Sequence, residues 1–214
     1  MIYIIPTLFS TTEEEYRVRL SRLKASSFSS DGWVQLDLMD NKFVPKLGVS
    51  LDIVKKYPNA FHKEAQLMVL DPEEWIDELV EIGVDRIIFP IEIEKNILDL
   101  IEKIKNSGIE VGLSLNPETE IDRLSQYVSD LDAVLLMGVK PGLEKQRLDP
   151  HTVEKIRYIK DKGWEIKIGV DGGVNDTNIK SLVEAGVDYL AIGSYLFTGD
   201  FDENLEKLWE VING

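Results

Sequence analysis

The stretch Ile2-Tyr3-Ile4-Ile5-Pro6-Thr7-Leu8-Phe9-Ser10 decides between two architectures. Its first five residues form an apolar run of strand length. The loop that follows contains no glycine. An open, doubly wound α/β sheet usually carries G-x-G-x-x-G directly after its first strand, and that signature is missing here. Working outward from residues 2–6, further apolar runs occur at 33–38, 65–69, 86–89, 111–115, 133–137, 166–170 and 189–192. Most are rich in Val, Ile and Leu with few charges, as expected of parallel strands buried on both faces. Amphipathic segments lie between them. Thr11 and Thr12 precede Glu13-Glu14-Glu15 and suit the cap of a first helix. Asp71-Pro72-Glu73-Glu74 opens another with an acidic first turn. Residues 93–107, 120–129, 150–162, 177–185 and 202–213 also read as helices. Gly83 and Gly186 stand where a helix ends and the chain turns into a strand. Only the connection 41–57 is poor in long-helix signal. Eight strand–helix units in series predict an α/β protein built as a closed (β/α)8 (TIM) barrel. No shift in composition marks a linker, so residues 1–214 read as one domain.

Composition narrows the partners. The 214 residues include 24 Lys and Arg against 39 Asp and Glu, a net charge of -15. Such a surface repels nucleic acid and anionic membranes, so neither is an expected partner. The absence of cysteine excludes disulfides and thiolate chemistry, and two histidines are too few for a His-rich metal site. Residues 1–11 lack the basic and long apolar regions of a signal peptide, and no apolar run approaches the roughly 20 residues that span a bilayer. A cytoplasmic protein is expected, with assembly into a homo-oligomer left open.

In a barrel of this kind, functional groups sit at the C-terminal ends of strands and in the loops beyond. Gly172-Gly173 follows the seventh run and Gly193-Ser194 the eighth. Glycines there let backbone N–H groups approach an anion closely, beside helix N-termini that favour negative charge. Two such clusters at adjacent strand ends point to a phosphate site, with Gly142 as a further donor from the sixth loop. Asp37 and Asp171 fall at strand ends on opposite sides of the expected barrel mouth. Two carboxylates facing one another can move a proton off a carbon beside a carbonyl and return one to the opposite face. Each Asp taken alone fits a helix cap or loop anchor equally well.

These residues resemble one family. Asp37-Leu38-Met39-Asp40 with Phe43-Val44-Pro45 is similar to the second-strand signature of ribulose-phosphate 3-epimerases. Leu67-Met68, Leu115-Asn116-Pro117, Val139-x-Pro141-Gly142-x-x-x-Gln146, 170–175 and Gly193-Ser194-x-x-Phe197 resemble further family segments in the right order. Pro6-Thr7-Leu8 stands where the family has Pro-Ser-Ile. The resemblance implies a ribulose-phosphate-binding barrel acting on a phosphorylated ketose. Such enzymes interconvert D-ribulose 5-phosphate and D-xylulose 5-phosphate through an enediolate, usually with a divalent metal held by two His and two Asp. Carried over, Asp37 and Asp171 are the paired acid/base residues and two of the ligands. Thr7, Met39, Met68 and Met137 join the substrate site with Gly142, Gly172, Gly173, Gly193 and Ser194.

The departures concern the metal. Gln35 and Gln66 stand where the family has its ligand histidines, and Pro90, followed by Glu92, replaces a third family histidine. His62 and His151 fall outside the motifs, at a strand entrance and a helix start. The set Gln35, Asp37, Gln66 and Asp171 is all oxygen, which suits Mg or Mn rather than Zn, held weakly, or no metal at all. In the sixth loop Glu144 would repel a phosphate and Lys145 would compensate. Lys140, uncharged in the family, is either a cation for the enediolate or a solvated loop residue. Two expectations follow: an epimerase with altered metal use, or a barrel that binds a sugar phosphate without epimerising it.

Overall fold

The computed structural model describes residues 2–143 and 145–214. Eight strands alternate with helices: β1 (Tyr3–Pro6), α1 (Glu13–Ala25), β2 (Trp33–Met39), α2 (Leu51–Lys56), β3 (His62–Met68), α3 (Glu73–Ile82), β4 (Arg86–Pro90) and α4 (Ile97–Asn106). Then come β5 (Glu110–Leu115), β6 (Ala133–Met137), α5 (Thr152–Asp161), β7 (Lys167–Asp171), α6 (Ile179–Ala185), β8 (Tyr189–Ile192), α7 (Ser194–Phe197) and α8 (Phe201–Asn213). The strands form one parallel sheet in the order β1-β8-β7-β6-β5-β4-β3-β2. Its two ends meet through a parallel bridge between Thr7 and Gln35, where Leu8 N donates to the Gln35 carbonyl at 2.8 Å. The seam that closes the barrel therefore runs past Gln35.

Local chemistry explains the elements. The Thr12 hydroxyl accepts from Glu15 N, and the Glu15 carboxylate accepts from Thr11 N at 2.7 Å, so the start of α1 is capped from both sides. Helix α4 buries Ile97, Leu100, Ile101 and Ile104, a stripe at helical spacing that packs on the barrel. Gly83 and Gly186 end α3 and α6 with left-handed backbones, as expected. Helix α4 starts at Ile97 rather than 93, because Asn96 caps it and Ile91 and Ile93 are buried in the loop before it.

One expectation needs correction. Residues 120–129 are not an α-helix but two 3₁₀ segments, Ile121–Gln126 and Val128–Asp130. Ile121, Leu124 and Tyr127 face the core at a spacing of three, which fits a tighter turn than 3.6, and Val128 packs there as well. The short helix α7 after β8 is an element the periodicity does not reveal.

The main core lies between the strands and the outer helices. Inside the barrel, Ile5, Ile88, Ala133, Leu135, Met137 and Tyr189 pack together. Toward the N-terminal ends of the strands, buried Arg86 donates to the fully buried Glu64 at 2.8 Å and to Glu110 at 2.8 Å. Its guanidinium lies over the rings of Trp33 and Tyr189, 4.6 and 5.1 Å from their centroids. The interior is thus filled from below, and open space is left at the C-terminal mouth.

Candidate active site

Register brings the polar residues to one height. Asp37 on β2 pairs with Gln66 on β3, and Met137 on β6 pairs with Asp171 on β7. Alternation along a strand sends Gln35 and Asp37 to the same face, toward the barrel axis. Gln35, Asp37 and Gln66 are buried, while Asp171 is partly exposed at the mouth. Gln35 Nε2 donates to Asp37 Oδ1 at 2.8 Å, to Gln66 Oε1 at 2.8 Å and, more weakly, to Asp171 Oδ2 at 3.3 Å. One amide therefore ties together the two carboxylates that lie far apart in sequence. Burial, reinforced by the adjacent Asp37 carboxylate, pushes the Asp171 carboxyl well above the usual carboxylate range, against the opposing bonds from Gln35 and Gln66. Two negative charges in so small a space are unfavourable, which favours protonation of one member of the pair.

Above this floor lies a pocket with a free volume of about 540 Å³, part of it open to solvent. Asp37, Asp171, Met68 and Met137 form its base, and Thr7, Gly142, Gly172, Gly173, Gly193 and Ser194 its rim. Gly173 has φ +75°, and a Cβ there would lie 2.5 Å from Leu148 N, so only glycine fits. A Cβ on Gly193 would lie 2.5 Å from the Thr7 hydroxyl, which sits beside that loop.

The remaining expected residues distribute as follows. Met39 is fully buried against Val44 and Met68 and does not line the pocket. Lys140 is exposed and also lies off the pocket, with its carbonyl accepting from Gln146 at 2.7 Å. Lys145 does line it, while Glu144 lies outside the described residues. Pro90 ends β4, away from the pocket lining. Glu92 braces the loop after β5, accepting from Asn116 N at 2.8 Å and from the Thr119 hydroxyl. His62 opens β3, stacked on Trp33, and His151 stands at the start of α5, both as expected. Phe9 and Gln146 line the pocket and were missed as site residues. Their signal was proximity to Thr7 in one loop and to Gly142 in another.

The metal expectation fares poorly on geometry. Among the described residues, no three His, Cys, Asp or Glu side chains converge as a metal site. Gln35 also presents its nitrogen, a donor, toward the oxygens of Asp37, Gln66 and Asp171. A cation needs lone pairs directed at it, so this arrangement does not fit one.

Comparison with known proteins agrees with the motif order. The model of the ribulose-phosphate 3 epimerase family matches residues 3–197. The chain belongs to this family. It is 32% identical over 183 residues to a ribulose-phosphate 3-epimerase of Chlamydia muridarum, covering 82% of this chain and 80% of the relative. With that of Treponema pallidum it shares 34% over 173 residues, 78% of this chain and 79% of the relative. With the Schizosaccharomyces pombe protein it shares 31% over 192 residues, 87% and 81%. Among solved structures, 3-hexulose-6-phosphate synthase from Salmonella typhimurium superposes with a TM-score of 0.72 at 15% identity, covering 99% of this chain and 98% of that one. A tryptophan synthase α-subunit from Pyrococcus furiosus gives 0.70 at 17%, covering 97% and 98%. At such identities these two establish the barrel fold alone. The family membership rests on the epimerase relatives.

Proposed function

We propose that the protein is a sugar-phosphate epimerase that interconverts D-ribulose 5-phosphate and D-xylulose 5-phosphate through an enediolate. The observation that carries this reading is the pairing of Asp37 and Asp171 beneath a glycine-rimmed pocket. The phosphate lies against the backbone of Gly172, Gly173, Gly193 and Ser194, with Lys145 as a nearby cation. This local attraction has to overcome the repulsion of a chain with net charge -15. C3 of the ketose then sits between the two carboxyl groups.

The ionised carboxylate removes the C3 proton. The C3–H electron pair forms the C2–C3 double bond, and the carbonyl π pair moves onto the C2 oxygen. The neutral carboxylic acid opposite returns a proton to the other face of C3, and the configuration inverts. The enzyme ends with the proton on the other member of the pair, ready for the reverse reaction. Raised proton affinity at Asp171 suits this exchange, since one member must carry a proton while the other is charged. Met68 and Met137 supply an apolar wall that keeps water from the enediolate.

A coupled assay of xylulose 5-phosphate formation from ribulose 5-phosphate tests the reading, alongside calorimetry with the phosphorylated and unphosphorylated ketoses. Turnover and selective binding of the phosphorylated sugar are expected. Binding without turnover would instead assign a sugar-phosphate binding role, and equal affinity for both sugars would remove the phosphate site.

A further inference from the structure

Gln35 sits at the point where three oxygens from three strands converge. Its Nε2 lies 2.8 Å from Asp37 Oδ1, 2.8 Å from Gln66 Oε1 and 3.3 Å from Asp171 Oδ2. These spacings are those of N–H···O hydrogen bonds. The orientation of an amide is set by its hydrogen bonds. Turned over, the amide would aim Oε1 at three oxygens, two of them from carboxyl groups, and leave Nε2 without these acceptors. That arrangement holds only around a cation, whereas the one observed needs none. Gln35 is fully buried and does not line the pocket, so it acts through the carboxyl groups rather than on substrate. Gln66 Nε2 donates to the thioether of Met137, at 3.0 Å.

We propose that the Gln35 carboxamide takes the place of a metal ion, holding Asp37, Asp171 and Gln66 in register so that epimerisation proceeds without a divalent cation. This rests on the epimerase reading. Gln35 is then a positioning residue. The C3 proton passes only between the two carboxyl groups, and no co-reactant is consumed.

The experiment compares wild type with Gln35→Met, which removes the donor at similar size, and Gln35→Glu, which adds a third carboxylate. Each is stripped with EDTA, incubated with Mn²⁺ or Zn²⁺, desalted and analysed for metal by mass spectrometry, and folding is checked by circular dichroism. Wild type is expected to retain no stoichiometric metal and to keep its full epimerase rate in EDTA. Gln35→Met should lose about 10- to 100-fold in kcat with KM little changed, the size of effect seen when a side chain that orients reactive groups is removed. Gln35→Glu should bind Mn²⁺ and recover activity only with it. Wild-type activity that vanishes in EDTA and returns with metal would overturn the inference and leave the epimerase reading intact. If wild type turns over neither pentulose phosphate, the epimerase reading fails, and metal content alone decides the role of Gln35. Stoichiometric metal in wild type then refutes that role, and its absence there with uptake by Gln35→Glu upholds it.

Discussion

At the scale of single residues, the proposed mechanism divides the work between Asp37 and Asp171, one for each face of one carbon. Replacing either by Asn removes a base but keeps its size and most of its hydrogen bonding. Each single variant is expected to lose about 10²–10⁴ in epimerisation rate, the usual worth of general acid–base assistance. Phosphate binding should survive in both. The remaining carboxylate should still exchange the C3 hydrogen with solvent, so deuterium wash-in at C3 should outlast net epimerisation. An Asn variant that epimerises at the wild-type rate would rule out the two-carboxylate mechanism. Both aspartates were legible because strand ends are few and each falls on one. The bond network around Gln35 was not, because Gln35 and Asp171 are 136 positions apart and meet only across the closed barrel. Met39 shows the converse: its motif placed it in the site, and packing against Val44 and Met68 withdrew it from the pocket.

At the scale of elements, the loops do what the strands cannot. The turn after β7 depends on Gly173, whose left-handed backbone and contact with Leu148 N leave no room for a Cβ. Gly173→Ala should lower stability by about 1–3 kcal/mol, as backbone strain of this kind does, and should weaken binding of the phosphorylated ketose more than that of the free sugar. Thermal melts and calorimetry read the two effects. The loop after β2 is organised by Asp40, which accepts from Lys42 N and Phe43 N at 2.8 and 2.9 Å and, in the loop after β3, from Leu70 N at 2.7 Å. Burial raises its proton affinity, but the backbone donors outweigh that and hold the carboxyl below its ordinary value. The charged form therefore stabilises the fold at pH above the unfolded value of about 4. That contribution is lost as pH falls through the lower folded value. The stability difference between wild type and Asp40→Asn should be flat near neutrality and shrink below about pH 4, measured by denaturant titration. A difference that grows on acidification would contradict this account. The aspartate motif marked this loop, yet the segment 120–129 shows how helix periodicity misleads when a spacing of three and one near 3.6 share the same residues.

At the scale of the whole molecule, the barrel needs its lower interior filled so that the mouth can stay open. Arg86 does this as a buried cation between Glu64, Glu110 and two aromatic rings. Arg86→Met alone would strand Glu64, whose burial already raises its proton affinity against the pull of Arg86. It should cost about 3–5 kcal/mol, the usual penalty for breaking a buried pair, whereas removing Glu64 as well in Arg86→Met/Glu64→Leu should restore most of it. Urea unfolding of wild type, the single variant and the double variant measures this, and additive losses would mean the pair is not coupled. By itself the sequence determined the eight-strand alternation, the order of the motifs and the placement of Asp37 and Asp171 at strand ends. Each of these depends on spacing within a strand or on the residues that flank it, and such local terms are written in linear order. Only the tertiary structure decided that Gln35 lies at the seam of the barrel with its nitrogen toward both carboxylates, and that Lys145 reaches the pocket while Lys140 does not. Those outcomes turn on the closure of β1 against β2 and on side-chain direction across strands, and neither leaves a periodic trace in the chain.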